Sequence, residues 1–553
     1  MSYPQHQLKR LSVTAAAVLL LILVSCSDHQ NNVTTGNQTG TLHWGNGTEP
    51  QSLDPHIATG VPEHHIISAL MEGLVFKDKE TLEPRPGVAE SWDISEDGRV
   101  YTFYLRENAR WSNGDPHNAH DYVWSWWRAL QPALGNLYAY MYFPIENARA
   151  YYEGEISDFA QVGVKALDDF TLEVRLANPT PYFLQLLDHY STFPVHRATV
   201  EKFGSADQRG TRWTYEGNIV GNGAFQLKEW KINRRITVER NPYYWNAENV
   251  GLNQVVFYPT ENVTTEERMF RAGQLHHTNE VPSDKIATYK KANNPALRIQ
   301  PYLGTYFYRL NVNTPHLKDK RVRQALGMTI DRELLVSQIT KGGQIPAYSI
   351  TPPGTMGYYP ESDLTFNPEL AKQLLAEAGY PNGEGFPTTE ILYNTFEEHR
   401  KIAVAIQQMW KEHLNIDVTL LNQEWKVYLD TVSGKNYQIA RAGWIGDYVD
   451  PNNFLDMFIC DGGNNRTNWC NSEYDQLILE EAPRAKSHKE RLAIFKRAEG
   501  MLMDAMPVIP IYIYTSKNLV HPSVKNFTNN ILNQANYREI YLQTEPVHNP
   551  GAQ

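Results

Sequence analysis

The stretch Ile439 to Pro451, IARAGWIGDYVDP, decides how the chain is read. It opens as a strand carrying Arg441, passes through Trp444 and Ile445 bracketed by Gly443 and Gly446, and ends at Asp447. An arginine and an aspartate six residues apart at one strand end put both signs of charge on one edge. An extended zwitterion such as a peptide requires that pattern. The competing reading is that both side chains pair with neighbours and only hold the loop.

Outward from this strand the second half is rich in helices. Arg321–Ile339, Pro368–Ala378, Glu397–Leu414 and Ser487–Met506 carry apolar residues at helical spacing. Pro368 suits a first helical position, Gly379 a C′ stop, and Ser487 with Glu490 a capping box; Pro507 ends the last helix. The run Val508–Tyr514, VIPIYIY, reads as a buried strand. Toward the N-terminus, Val100–Leu105, Thr171–Leu176, Gln226–Lys231, Ile236–Arg240 and Val255–Tyr258 are β-branched or aromatic strands, with a hairpin turn at LDDF, 167 to 170. The class is α/β or α+β. At about 150 residues per domain, 553 residues imply three or so lobes.

The N-terminus reads as a signal peptide, residues 1–25. Lys9 and Arg10 precede the apolar run Leu11–Val24, which is short for a membrane span of about 20 residues. It ends in Leu23, Val24, Ser25, Cys26, which resembles a bacterial lipobox with Cys26 as the acylated residue; an ordinary secretory signal is the alternative. Residues 26–40, rich in Asn, Thr and Gly, read as a flexible tether. The other two cysteines, Cys460 and Cys470, flank CDGGNNRTNWC and are expected to form a disulfide, since the spacing suits no metal.

Net charge is −11, with Lys and Arg scattered, which argues against nucleic acid. HExxH, G-x-S-x-G, CxxC and phosphate-cradling glycine loops are missing from the sequence, so no enzyme, cofactor or metal is expected. His64 with His65 and His276 with His277 read as solvated or locally bonded pairs. The chain is rich in aromatic residues, with 32 Tyr, 13 Trp and 19 Phe. Such rings suit a groove that tolerates varied ligands, although most are expected in the core.

Together GTEPQSLDPH (47–56), EGL (72–74), PGVAESW (86–92), WSNGDP (111–116), GVKALDD (163–169), PYF (181–183), EKFG (201–204), GNIVGNGAF (217–225), LLAEAGYP (374–381), LLNQEWKVYLDT (420–431) and ARAGWIGDY (440–448) resemble extracellular solute-binding family 5. These are the peptide, nickel and opine receptors of ABC transporters, and the resemblance is to the periplasmic oligopeptide binders among them.

The resemblance implies a periplasmic-binding-protein-like type II fold, two large hinged lobes plus a smaller one: 41–59 with 183–303 and 516–545, then 60–182, then 304–515, with a C-terminal tail at 546–553. It implies a monomeric receptor, lipid-anchored in the periplasm or cell envelope, that hands short peptides to a permease and ATPase complex. By the same likeness Asp447 holds the ligand's α-amino group and Arg441 with His399 its carboxylate. Trp425 and Trp444 line side-chain pockets, Tyr514, Gly443 and Ile445 reach the ligand backbone, and Glu49 and Asn464 or Asn465 lie at the cleft.

Trp124 stands where relatives place a ligand-binding tyrosine, and Lys341 falls one residue from an expected carboxylate contact. Gly304 and Ile445 replace a hinge-spanning cysteine pair of some relatives. A murein tripeptide or dipeptide receptor shares the scaffold and remains open. A remoter reading is a glycoside hydrolase using Asp447 and Asp450, which requires two carboxylates in one cleft with no cation neutralising them.

Overall fold

The computed structural model describes residues 31–528 and 530–543. The signal segment, Cys26 and the tail 546–553 lie outside the described residues. The centre is a six-stranded sheet whose members, in chain order, are β1 (Leu297–Leu310), β2 (Ile345–Pro346), β3 (Thr389–Asn394), β4 (Val418–Gln423), β5 (Ile439–Ile445) and β6 (Val508–Leu519). Their spatial order is β2-β6-β1-β5-β3-β4. Strands β1, β5 and β6 are antiparallel, whereas β3 runs parallel to both β4 and β5.

The helices Lys320–Met328 and Glu397–Leu414 cover this sheet, burying Val322, Leu326, Ile402, Ile406 and Trp410 against Tyr308, Ile509 and Ile511. Expected alternation holds for the second helix. The first is broken: Arg321–Ile339 is not one helix but Lys320–Met328, then Arg332–Leu334 and a π-helical turn over Leu335–Thr340. Asp331 is the cause, because its carboxylate accepts from Leu334 N at 2.9 Å and starts a new helix. Arg332 closes the gap by donating to the carbonyls of Pro510 at 2.8 Å and Gly327 at 3.1 Å.

A second sheet pairs 41–45 with 254–258 in parallel, then runs antiparallel through 235–240 to 225–231. A third, antiparallel, joins 89–94, 100–105, 171–175 and 164–168, with the 167–170 turn at its hairpin. Its core is separate and contains Phe103, Tyr122, Trp126 and Leu172.

Strands β1 and β6 connect two cores. Leu519 packs with Val281, Ile286 and Tyr289, while Tyr306, Tyr308, Ile509 and Ile511 belong to the helix-covered core. Between these ends the β1/β6 pairing slips, from Pro301↔Thr515 to Thr305↔Ile513. A bulge there bends the ladder at the crossing.

The tether expectation is corrected at Asn32–Thr39, which is a helix. Its N-cap Asn31 accepts from Val33 N, Gly40 ends it at φ 70°, and Val33 N donates to Gly273 O. Capping and one-sided docking replace the apolar periodicity that the sequence lacks.

Cys460 and Cys470 are disulfide-bonded. Within the closed loop Asn465 donates to the carbonyls of Ile459 and Trp469, and Val312 N donates to Thr467 O. Replacing both cysteines by serine is expected to lower the unfolding free energy by about 3 kcal/mol. Denaturant titration checks it: reductant should shift the wild type by the same amount and leave the variant unmoved.

Candidate functional site

Strand β5 is fully paired to β1, from Gly304↔Ile445 to Leu310↔Ile439. Its other edge pairs with β3 only at Ile439 and Ala440. Beyond Ala440 that edge faces a cavity of about 310 Å³ lined by Arg441, Gly443, Trp444, Ile445 and Asp447. Gly443 is required sterically, since a Cβ there would lie 2.5 Å from Tyr514 Oη.

Arg441 is held without a carboxylate. It donates to Tyr514 Oη at 2.7 Å and to Asn394 Oδ1 at 3.2 Å, its guanidinium lies 4.8 Å above the Tyr306 ring, and Nε is buried without a hydrogen bond. Asp447 is complementary. Its Oδ1 lies 3.3 Å from His189 Nε2, and its Oδ2 is buried without a partner. Its backbone is fixed by Asn453 Oδ1, which accepts from Asp447 N, and by Lys77, which donates to Asp447 O at 2.9 Å. Among the described residues the two charges form no ion pair with each other; each has neighbouring partners, His189 for Asp447 and Tyr514 and Asn394 for Arg441, but Asp447 Oδ2 and Arg441 Nε are left without a hydrogen bond.

His399 lines the same cavity beside Tyr306 and Phe396, with Nδ1 buried and unbonded. Burial holds its imidazole well below the usual histidine range, and Arg441 and Lys517 push the same way. It is therefore a neutral group here, rather than the basic residue expected.

Trp425, Trp444, Tyr514 and Asn464 also line the cavity. Three expected residues do not. Glu49 is buried behind the wall, accepting from Trp230 Nε1 at 2.7 Å and Asn233 N at 2.9 Å, while its neighbours Asn46, Gly47 and Thr48 reach the cavity. Trp124 sits on the helix Ala119–Ala129, packed on Trp127 and beneath Arg197. Lys341 is exposed, in the left-handed conformation that ends the π-helical turn, which turns it out. Asn465 is consumed by its own loop. Asp450 is neutralised by Arg491 at 2.7 and 2.9 Å and lies outside the lining, so the two-carboxylate requirement fails.

Sequence reading missed further charges. Lys517, 2% exposed, lies 3.3 Å from Glu280 and 3.4 Å from Glu398, and all three line the cavity. Arg309 and Arg466 line it too. The available signal was a lone charge inside an apolar strand, TYFYRL for Arg309 and the SKNL end of β6 for Lys517.

A model of bacterial extracellular solute-binding proteins, family 5 Middle, matches residues 83–466. The chain is 39% identical to the periplasmic oligopeptide-binding protein OppA of Salmonella typhimurium over 94% of this chain and 95% of that one. It overlays on the Escherichia coli murein tripeptide binding protein MppA with TM-score 0.87 at 37% identity, covering 91% of this chain and 99% of the other. Haemophilus influenzae OppA in complex with RPPGFSPFR gives 0.84 at 36% identity and the same coverage. Against the unliganded open form of MppA the score is 0.61, at 37% identity and 91% and 98% coverage. The arrangement here thus matches a peptide complex better than the open form.

The segment Asn279–Glu280 on the cavity wall is fixed by Glu266, whose Oε2 accepts from both backbone nitrogens. Burial pushes the Glu266 carboxyl up to about 8. The folded protein therefore keeps a proton that the unfolded chain releases near pH 4.5, and Glu266 makes stability fall as pH rises between those values. Glu266→Gln is expected to gain on the wild type by about 1.4 kcal/mol per pH unit across that window and nothing below it. Denaturant titrations from pH 4 to 9 read the difference directly.

Proposed function

The chain belongs to the bacterial extracellular solute-binding proteins of family 5, and on that premise we propose that it is the oligopeptide receptor of an ABC importer. The observation that carries the reading is the pair of unmatched opposite charges, Asp447 Oδ2 and Arg441 Nε, buried in one cavity at one strand end. An extended peptide adds to the open edge of β5, its amino group on Asp447 and its carboxylate on Arg441, with neutral His399 as a further contact. Backbone bonds along Gly443 and Ile445 ignore sequence. Two terminal charge pairs at about 1.5 to 3 kcal/mol each fall short of the roughly 8 kcal/mol of a micromolar complex, so the strand bonds supply the rest.

In this reading the 41–59, 183–303 and 516–545 lobe closes on the 304–515 lobe about β1 and β6, with 60–182 as the small third lobe. The slipped register between Pro301 and Thr305 is the natural bending point. Closure creates the shape that a permease and ATPase complex recognises. Cys26 carries the lipid that holds the monomer at a membrane in the periplasm or cell envelope. Globomycin-sensitive processing and an acylated N-terminal mass test that anchor.

Native mass spectrometry of freshly purified protein is expected to show a ladder of short-peptide masses released on denaturation. A single murein-tripeptide mass would favour the cell-wall ligand, and no peptidic mass together with no calorimetric heat would sink the peptide reading. Asp447→Ala should weaken free-amine peptides by about tenfold or more while leaving N-acetylated ones nearly unchanged. Equal losses would remove Asp447 from the amine-binding role.

A further inference from the structure

Most buried arginines in this protein have an evident partner. Arg128 meets Asp54 at 2.7 Å, Arg491 meets Asp450 and Arg538 meets Glu72, while Arg323 bonds backbone carbonyls and Arg332 does so through Nε and Nη1, leaving Nη2 unbonded. Arg309 and Arg466 differ. Both are nearly inaccessible, at 4% and 6% exposure, both have Nε buried without a hydrogen bond, and both line the cavity. Among the described residues no carboxylate lies within ion-pair distance of either one.

Their backbones are also anchored at the same end of β5. Arg309 stands on β1 opposite Ala440, and the hydroxyl of Tyr437, just before β5, donates to the backbone carbonyl of Arg466. The disulfide-closed loop carries Arg466 to that place. Burial, with Arg309 adding to it, pushes the Arg466 guanidinium down to about 10. Arg441 keeps its own contacts with Tyr514, Asn394 and the Tyr306 ring, none of which bonds Arg309 or Arg466, although Tyr428 acts on both Arg441 and Arg466. Two like charges buried on one cavity wall, with no carboxylate within ion-pair distance among the described residues, are costly, and what enters the cavity can relieve that cost.

We propose that Arg309 and Arg466 form a carboxylate subsite, which selects peptides bearing an aspartate or glutamate side chain. The inference rests on the peptide-receptor reading above. Paired guanidiniums present planar, pre-oriented donors matched to a carboxylate, and the neutral amide isostere offers them no charge. The otherwise undiscriminating groove thereby gains one position with a charge preference.

The test is calorimetry of the full mature chain with trialanine carrying glutamate at the first, second or third position, each against its glutamine isostere and each also as a C-terminal amide. At one position glutamate is expected to bind about 10- to 100-fold tighter than glutamine. The preference should persist in the amides and vanish in Arg309→Met and in Arg466→Met, read as the ratio of glutamate to glutamine affinity within each variant. Both variants should melt at or above the wild type, because each removes an unmatched buried charge; Arg309→Gln and Arg466→Gln carry the same test if either fails to fold. Equal binding of glutamate and glutamine at every position overturns the subsite, as does a preference lost on amidation or one that survives both substitutions. No heat from any peptide overturns the peptide-receptor reading instead.

Discussion

The constraint on which the site depends is that β5 is paired along one edge and released along the other after Ala440. A strand held on both edges would bury Arg441 and Asp447 in a ladder with no room for a guest. A strand held on neither would not fix their spacing. Pairing to β1 fixes Arg441 and the strand end, Asn453 and Lys77 hold Asp447 just beyond it, and the open edge leaves unpaired backbone groups beside the cavity. Gly443 and Gly446 let Tyr514 and Leu303 approach closely at the points where a side chain would push the wall apart.

The second consequence is electrostatic. The cavity wall carries Arg441, Arg309, Arg466 and Lys517 with Asp447, Glu280 and Glu398, a density of charge that the interior ordinarily refuses. The fold tolerates it in two ways. Lys517 is matched by two carboxylates, and Arg441 is surrounded by tyrosine hydroxyls and the Tyr306 ring face. The groups left unmatched are those facing the cavity, which means that folding stability is given up where a charged ligand restores it.

How much of this was legible in sequence depended on whether local signals acted alone. The helix Glu397–Leu414 and the buried strand from Val508 were readable because periodicity and composition agreed with the final packing. Arg321–Ile339 misled because Asp331 offers its carboxylate to the backbone as a cap in the midst of an apolar pattern. Asn32–Thr39 was invisible because its stability comes from Asn31, Gly40 and the distant Gly273, none of which repeats at helical spacing. In the site, Arg441 and Asp447 could be found because they share one strand end. Lys517, Glu280 and Glu398 meet only through the tertiary fold, and Arg309 reaches the cavity from a separate part of β1, which no single segment encodes. Glu49, Trp124 and Lys341 failed for another reason: a hydrogen bond to Trp230, a helix face and a left-handed turn send the side chains elsewhere, and only Glu49 has sequence neighbours on the cavity wall.

Strands β1 and β6 are both part of the scaffold of the site and a long connection between two cores. Arg309 lies on the side of the β1 bulge that carries β5, while Lys517 on β6 lies on the other side and reaches back to Glu398 at the start of the Glu397–Leu414 helix. Any bending at Pro301–Thr305 would therefore move Lys517 relative to Glu398, opening an ion pair that is buried in the arrangement seen here. The cost of parting such a pair is lower once water enters than in the dry cavity. Solvation thus favours opening at this contact, and a ligand that excludes water and supplies its own charges favours closing. In the proposed closure, movement at the bend would carry Lys517 with it, because the strands that cross there also bear Arg309 and Lys517 on the cavity wall.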